Sequence, residues 1–138
     1  MSSVHYFDCE GPDVRAIALA LKLAADLATK GTKEITIFLP TLQQAKGTVL
    51  TDVIGLEAAK KLSKGQLYKL GGATVKMVSD RTYSEYGSNG VVVALWPSTN
   101  MRKKLERPSY EALVIVPWLK EENYDWAEKR GAKVLSVA

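Results

Sequence analysis

The chain has 138 residues, 46% of them hydrophobic and 25% charged, which excludes a disordered or fibrous protein and predicts an ordinary soluble one. That length supports one hydrophobic core without staples, and the single cysteine excludes an internal disulfide and any multi-cysteine zinc site. The net charge of +4 permits a polyanionic partner but is equally an aid to solubility.

Residues 4–7 (Val-His-Tyr-Phe) read as a first strand. It leads through Asp8-Cys9-Glu10-Gly11-Pro12-Asp13 into an alanine- and leucine-rich helix over residues 12–30. Proline loses no hydrogen bond at a helix opening, and Gly31 can take the left-handed conformation that closes one. The helix carries two apolar stripes: Val14, Ile17, Leu21, Ala24 and Ala28, and beside them Ala16, Leu19, Ala20, Leu23 and Leu27. A helix apolar on most sides must be buried on most sides. Its cover is either a neighbouring helix of the same chain or a second copy in a homodimer.

Residues 34–39, β-branched and aromatic, end at Pro40 and form strand two. A broken helical region follows, with a turn at 41–45, an interruption at Gly47, and a helix capped by Thr51 that runs to Leu62. Gly71-Gly72 precedes strand three at 74–78. Strand four, 91–95, is an unbroken apolar run of the kind covered on both faces. Ser98 caps a short helix to Glu106, strand five is 113–116, a helix over 119–130 closes at Gly131, and strand six is 134–137.

This alternation predicts a single three-layer Rossmann-like α/β domain, doubly wound, with about six mostly parallel strands ordered 3-2-1-4-5-6. The connection over 80–90 then crosses between the halves, where Tyr83 and Tyr86 can cover a ligand. Its shortness leaves an antiparallel pairing of strands three and four open. No run approaches the roughly 18 apolar residues of a membrane span. No secretory pattern follows Met1, so the expected location is cytoplasmic, away from membranes.

Ligands of such sheets bind at the carboxyl ends of the strands. A dinucleotide fingerprint needs several glycines in the first turn, which offers only Gly11, and no Gly-Lys-Ser/Thr loop occurs. Both absences argue against NAD and P-loop ATP. Cys9 and Arg15 have the Cys-x5-Arg spacing with which cysteine phosphatases and arsenate reductases wrap an oxyanion. The helix start lowers the thiol pKa, and the arginine binds the anion. Glu10 and Asp13 place negative charge where that anion would sit, and Ala16 replaces a hydroxyl residue, so a buried structural thiol is the plainer role.

Asp8, Glu10 and Asp80 offer oxygen ligands for magnesium, and with it metal-dependent phosphoryl-transfer or phosphatase-like chemistry. The simpler role of Glu10 and Asp13 is to complement the helix dipole. His5, alone and inside a strand, reads as packed rather than catalytic, and no Gly-x-Ser-x-Gly turn accompanies it. Trp96 and Trp118 follow strands four and five, where they wall a pocket or seal the sheet. Ser98 and Thr99 supply amides and hydroxyls for an anion, with Thr41 and Arg81 following strands two and three. Arg102, Lys103, Lys104 and Arg107 form a basic cluster, which is either a nucleic-acid contact or a solvated helix face.

Tyr6-Phe7, then Gly11-Pro12, the apolar helix and the strand at 35–39 together resemble the opening of the pyruvate kinase C-terminal α/β domain and of stand-alone proteins similar to it. The resemblance covers about the first third of the chain. It implies a regulatory or ligand-binding domain rather than a catalytic one, with phosphate received by the turn after strand two. Thr41 and Gly47-Thr48 match that turn, whereas Pro40, Leu42, Gln43 and Gln44 depart from it. The leading expectation is thus a small phosphorylated or nucleotide-like ligand at the carboxyl edge. The alternatives are the metal-dependent enzyme and a self-associating structural subunit.

Overall fold

The computed structural model describes residues 3–9, 14–40, 49–70, 72–79, 82–83, 90–106, 110–117 and 120–136. The elements in chain order are β1 (Ser3–Asp8), α1 (Val14–Thr29), β2 (Glu34–Leu39), α2 (Val49–Ile54), α3 (Leu56–Ser63), β3 (Tyr68–Leu70) and β4 (Ala73–Ser79). They continue with β5 (Val91–Leu95), α4 (Thr99–Leu105), β6 (Ala112–Val116), α5 (Lys120–Lys129) and β7 (Lys133–Ser136). One seven-stranded sheet runs β3-β4-β2-β5-β6-β1-β7. Every neighbouring pair is parallel except β3 and β4. The fold is α/β, with helices packed on a mostly parallel sheet.

Strand order departs from the expectation. The alternation of elements predicts β1 between β2 and β5, but it lies between β6 and β7, with Tyr6 beside Ile115 on one side and Val134 on the other. Burial supplies the reason. β5 and β6 are buried along their whole length and fill the middle of the sheet, whereas β1 is exposed at both ends and carries His5 half-buried. Apolar runs take central places and mixed strands lie nearer an edge. β4 and β5 both pair parallel to β2, so the antiparallel alternative does not occur. The hairpin strand β3 has no counterpart among the predicted elements, because three residues carry too little periodicity to read.

The connection from β1 to β2 passes two intervening strands, and α1 accordingly packs across β6, β5 and β2. That diagonal path accounts for its double stripe. Ala16, Ile17, Ala20, Leu21, Ala24 and Ala28 are buried, with Leu23 and Leu27 partly buried against the same core. The chain therefore covers most of the second stripe itself, α2 included, leaving Leu19 of that stripe 39% exposed and Val14, at the start of the first, 41% exposed. α1, α2 and α3 share one face of the sheet, and α4 and α5 cover the other.

Two local expectations are corrected. The left-handed residue after α1 is Lys33 (φ 62°), whose N–H donates to the Ala28 carbonyl at 2.8 Å, and not Gly31. Gly31 is small for another reason: a Cβ there would lie 2.7 Å from the Glu111 carboxylate, which accepts the Thr32 N–H at 3.2 Å. Thr51 does not cap a helix. It sits inside α2, and the described break falls at Gly55 (φ 92°), while Gly47 lies outside the described residues. Ser98 caps α4 as expected, its Oγ accepting the Met101 N–H at 3.3 Å. Among the described residues, no helix is long and apolar enough to cross a membrane.

Candidate functional site

The six parallel strands end on one edge, which carries Asp8, Leu39, Ser79, Leu95, Val116 and Ser136. The direction in which the chain leaves each strand decides where that edge opens. β1 and β2 lead to the face of α1, α2 and α3, whereas β5 and β6 lead to the face of α4 and α5. Neighbours β2 and β5 therefore send the chain in opposite directions, and so do β6 and β1. Each divergence is a topological switch point, the place where open α/β sheets leave a crevice for ligand.

The expected pocket is thus split between two crevices. Trp96–Thr99 belong to the first, beside the end of β2, and Asp8 and Cys9 to the second, with β6 between them. Four strand intervals separate the ends of β1 and β4, roughly 19 Å at ordinary strand spacing. One small cation cannot draw ligands from both ends, since its shell reaches only about 2–2.6 Å. Among the described residues, no group of three His, Cys, Asp or Glu side chains could hold a metal ion. Glu10 and Asp80 of the expected magnesium set lie outside the described residues, as do Thr41, Arg81 and Trp118 of the expected ligand set.

At the first crevice β2 and β5 run in register, Phe38 beside Ala94, so the chain leaves both strands at the same level. Trp96 is buried and held at φ 53°. A left-handed conformation costs a non-glycine residue roughly 1–2 kcal/mol. Its N–H donates to the Val116 carbonyl at 2.7 Å, and its indole packs into the core on the α1 face, which together hold it there. Trp96 therefore seals that face of the sheet.

Past this seal the chain turns into α4. The Arg102 guanidinium folds back along the helix, donating to the Pro97 carbonyl at 3.4 Å and to Thr99 Oγ1 at 3.0 Å. A cation is thereby fixed at the carboxyl end of β5. Ser98 and Thr99 each accept one hydrogen bond there, which leaves each hydroxyl its own proton to donate. Sequence reasoning placed Arg102 only in a basic cluster. Its five-residue separation from Pro97, one helical turn past the cap, was the available signal. Lys103 is exposed and Lys104 half-buried on the same helix, and Arg107 lies outside the described residues.

Next to β2, at the end of β4, the Ser79 N–H donates to Thr82 Oγ1 at 2.8 Å and the Tyr83 N–H to the Ser79 carbonyl at 3.0 Å. Tyr83, expected to cover a ligand, is instead buried on the α4 face, stacked on Phe38 with centroids 4.3 Å apart and planes 2° apart. Tyr86 lies outside the described residues.

At the second crevice Cys9 is buried in the core on the α1 face, its N–H donating to the Phe7 carbonyl at 3.0 Å, while Arg15 is exposed on α1. Asp8 is exposed. His5 pairs in register with Lys133 and shares a hydrogen bond of 3.2 Å between Nε2 and Ser3 Oγ; its Nδ1 is buried without a hydrogen-bond partner. Burial first, and the Lys133 charge second, push its pKa below 6.5. Comparison with family models, with curated proteins and with solved structures finds no match to this chain.

Proposed function

We propose that this Rossmann-like domain binds a small phosphorylated or nucleotide-like molecule in the crevice between the carboxyl ends of β2 and β5. The observation that carries the reading is Arg102, folded back onto Pro97 and Thr99 at a switch point of the sheet. A guanidinium fixed by its neighbours meets a phosphate with little further loss of side-chain freedom. The Ser98 and Thr99 hydroxyls supply neutral donors beside it. The base or other apolar part of the ligand lies toward Pro40, half-buried at the end of β2. The resemblance read in the first third of the sequence, to the pyruvate kinase C-terminal domain, would imply the same class of role, with phosphate received after β2.

Amide NMR during titration with AMP, ADP and inorganic phosphate tests the proposal. Saturable shifts at residues 96–102, weakened about tenfold in Arg102→Ala, are expected. Shifts confined to residues 5–9 would move the site to the second crevice, and no saturable shift with any of the three would end the proposal.

A further inference from the structure

Away from the carboxyl edge, a cavity of about 460 Å³ opens between α1, α2, α3 and the β3-β4-β2 side of the sheet. Its wall is almost wholly aliphatic, with Leu21, Ile37, Val53, Ile54, Leu62 and Val75 prominent. Among the described residues, the polar members of its lining are Lys22, exposed on α1, and Tyr68, half-buried on β3. Neither the sequence motifs nor the crevice between β2 and β5 uses any of these residues.

The space is half open to solvent, a groove whose floor is the buried Leu21, Ile37, Leu62 and Val75 and whose rim is the exposed or half-buried Lys22, Ala25, Val53, Ile54 and Tyr68. Small-molecule sites run from about 300 to 1,000 Å³, mostly apolar with a few placed polar groups. The polar groups here specify the head of the occupant. Lys22 brings a cation and Tyr68 a phenol, and no acidic side chain is among the described lining residues. A carboxylate suits that pair, and a flexible hydrocarbon suits the wall.

We propose that this cavity binds a medium-chain carboxylic acid, its alkyl chain among the aliphatic residues and its carboxylate at Lys22 and Tyr68. Desolvating the chain supplies the affinity, and the charge pair sets the orientation. The site is independent of the proposed crevice ligand, so either can fail without the other.

Isothermal titration of the purified chain with decanoate, kept below its micelle concentration, and in parallel with decanol, tests the proposal. One saturable decanoate site per chain is expected. Ala25→Phe, which fills the cavity from α1, is expected to abolish it. Lys22→Glu changes an exposed position and is expected to weaken decanoate about tenfold while leaving decanol unchanged. Absence of saturable decanoate binding overturns the proposal. So does binding that persists in a cooperatively folded Ala25→Phe chain. If Ala25→Phe does not fold, Lys22→Glu decides, and unaltered decanoate affinity in that variant overturns the proposal.

Discussion

The two faces of the sheet differ most in what lies directly beneath their helices. Beneath α1 stand Ala16, Ala20, Ala24 and Ala28, spaced four apart and all fully buried, so the sixteen-residue helix lies against the strands along a row of methyl groups. The other face is filled with rings. Tyr6 meets Tyr124 edge-on at 5.8 Å, Phe38 stacks on Tyr83, and Arg130 lies 3.9 Å over the Trp126 ring. The helices there, α4 with seven residues and α5 with ten, are both shorter than α1. A long crossover demands small side chains for close approach, whereas short ones leave volume that aromatic residues occupy.

Substitutions can break that contrast in a graded order. Tyr6→Ala removes a fully buried ring from the aromatic face and should cost about 3–5 kcal/mol, read from urea unfolding at unchanged m. A cost below about 1 kcal/mol would mean that the rings are loosely held. Ala20→Leu forces a larger side chain under α1 and should cost about 1–3 kcal/mol by overpacking. Stabilisation by that variant would show slack beneath the helix and remove the close-approach argument.

Smaller effects sharpen the edges of the picture. Lys33→Gly relieves a left-handed lysine, whose cost of about 1–2 kcal/mol outweighs the roughly 0.5–1 kcal/mol entropic penalty of glycine. A net gain of about 0.5–1 kcal/mol in thermal or urea unfolding is expected, and a loss would return the end of α1 to Gly31. The smallest effect concerns His5 on the α1 face. Its folded pKa is depressed below 6.5, so its contribution is fully present above pH 6.5 and is lost as pH falls through the folded value. The melting temperature of the wild type should therefore fall more steeply below pH 6.5 than that of His5→Gln, and parallel curves would remove His5 from the account.

Most elements were legible because their signals are local. The apolar run at β5, the serine before α4 and the β-branched segment of β2 each state their conformation within a few residues. The order of the strands was not legible, since parallel neighbours exchange no signal that a single sequence displays. Lys33 was missed because glycine is the usual left-handed residue, and the pressure of Glu111 on Gly31 is a contact between residues far apart in the chain. The candidate site suffered for the same reason. Asp8, at the end of β1, and Trp96, just past the end of β5, lie at the carboxyl edge, but joining them depended on an order in which β1 is central. Arg102 was visible as a charge and not as a folded-back side chain. The aliphatic cavity had no sequence signal, because it arises from how three helices stand over the sheet.

The place of β1 bears on how the chain is made. Ser3 pairs with Ala112, so the first strand finds its neighbour only after more than a hundred further residues have been synthesised. At ribosomal speeds of about 5–20 residues per second, that delay is roughly 5–20 s. Through that interval Tyr6 and Phe7 emerge without the strands that later enclose them, and the sheet closes late through contacts remote along the chain. A nascent-chain binder that shelters this opening segment would therefore act on a stage that the finished fold no longer displays.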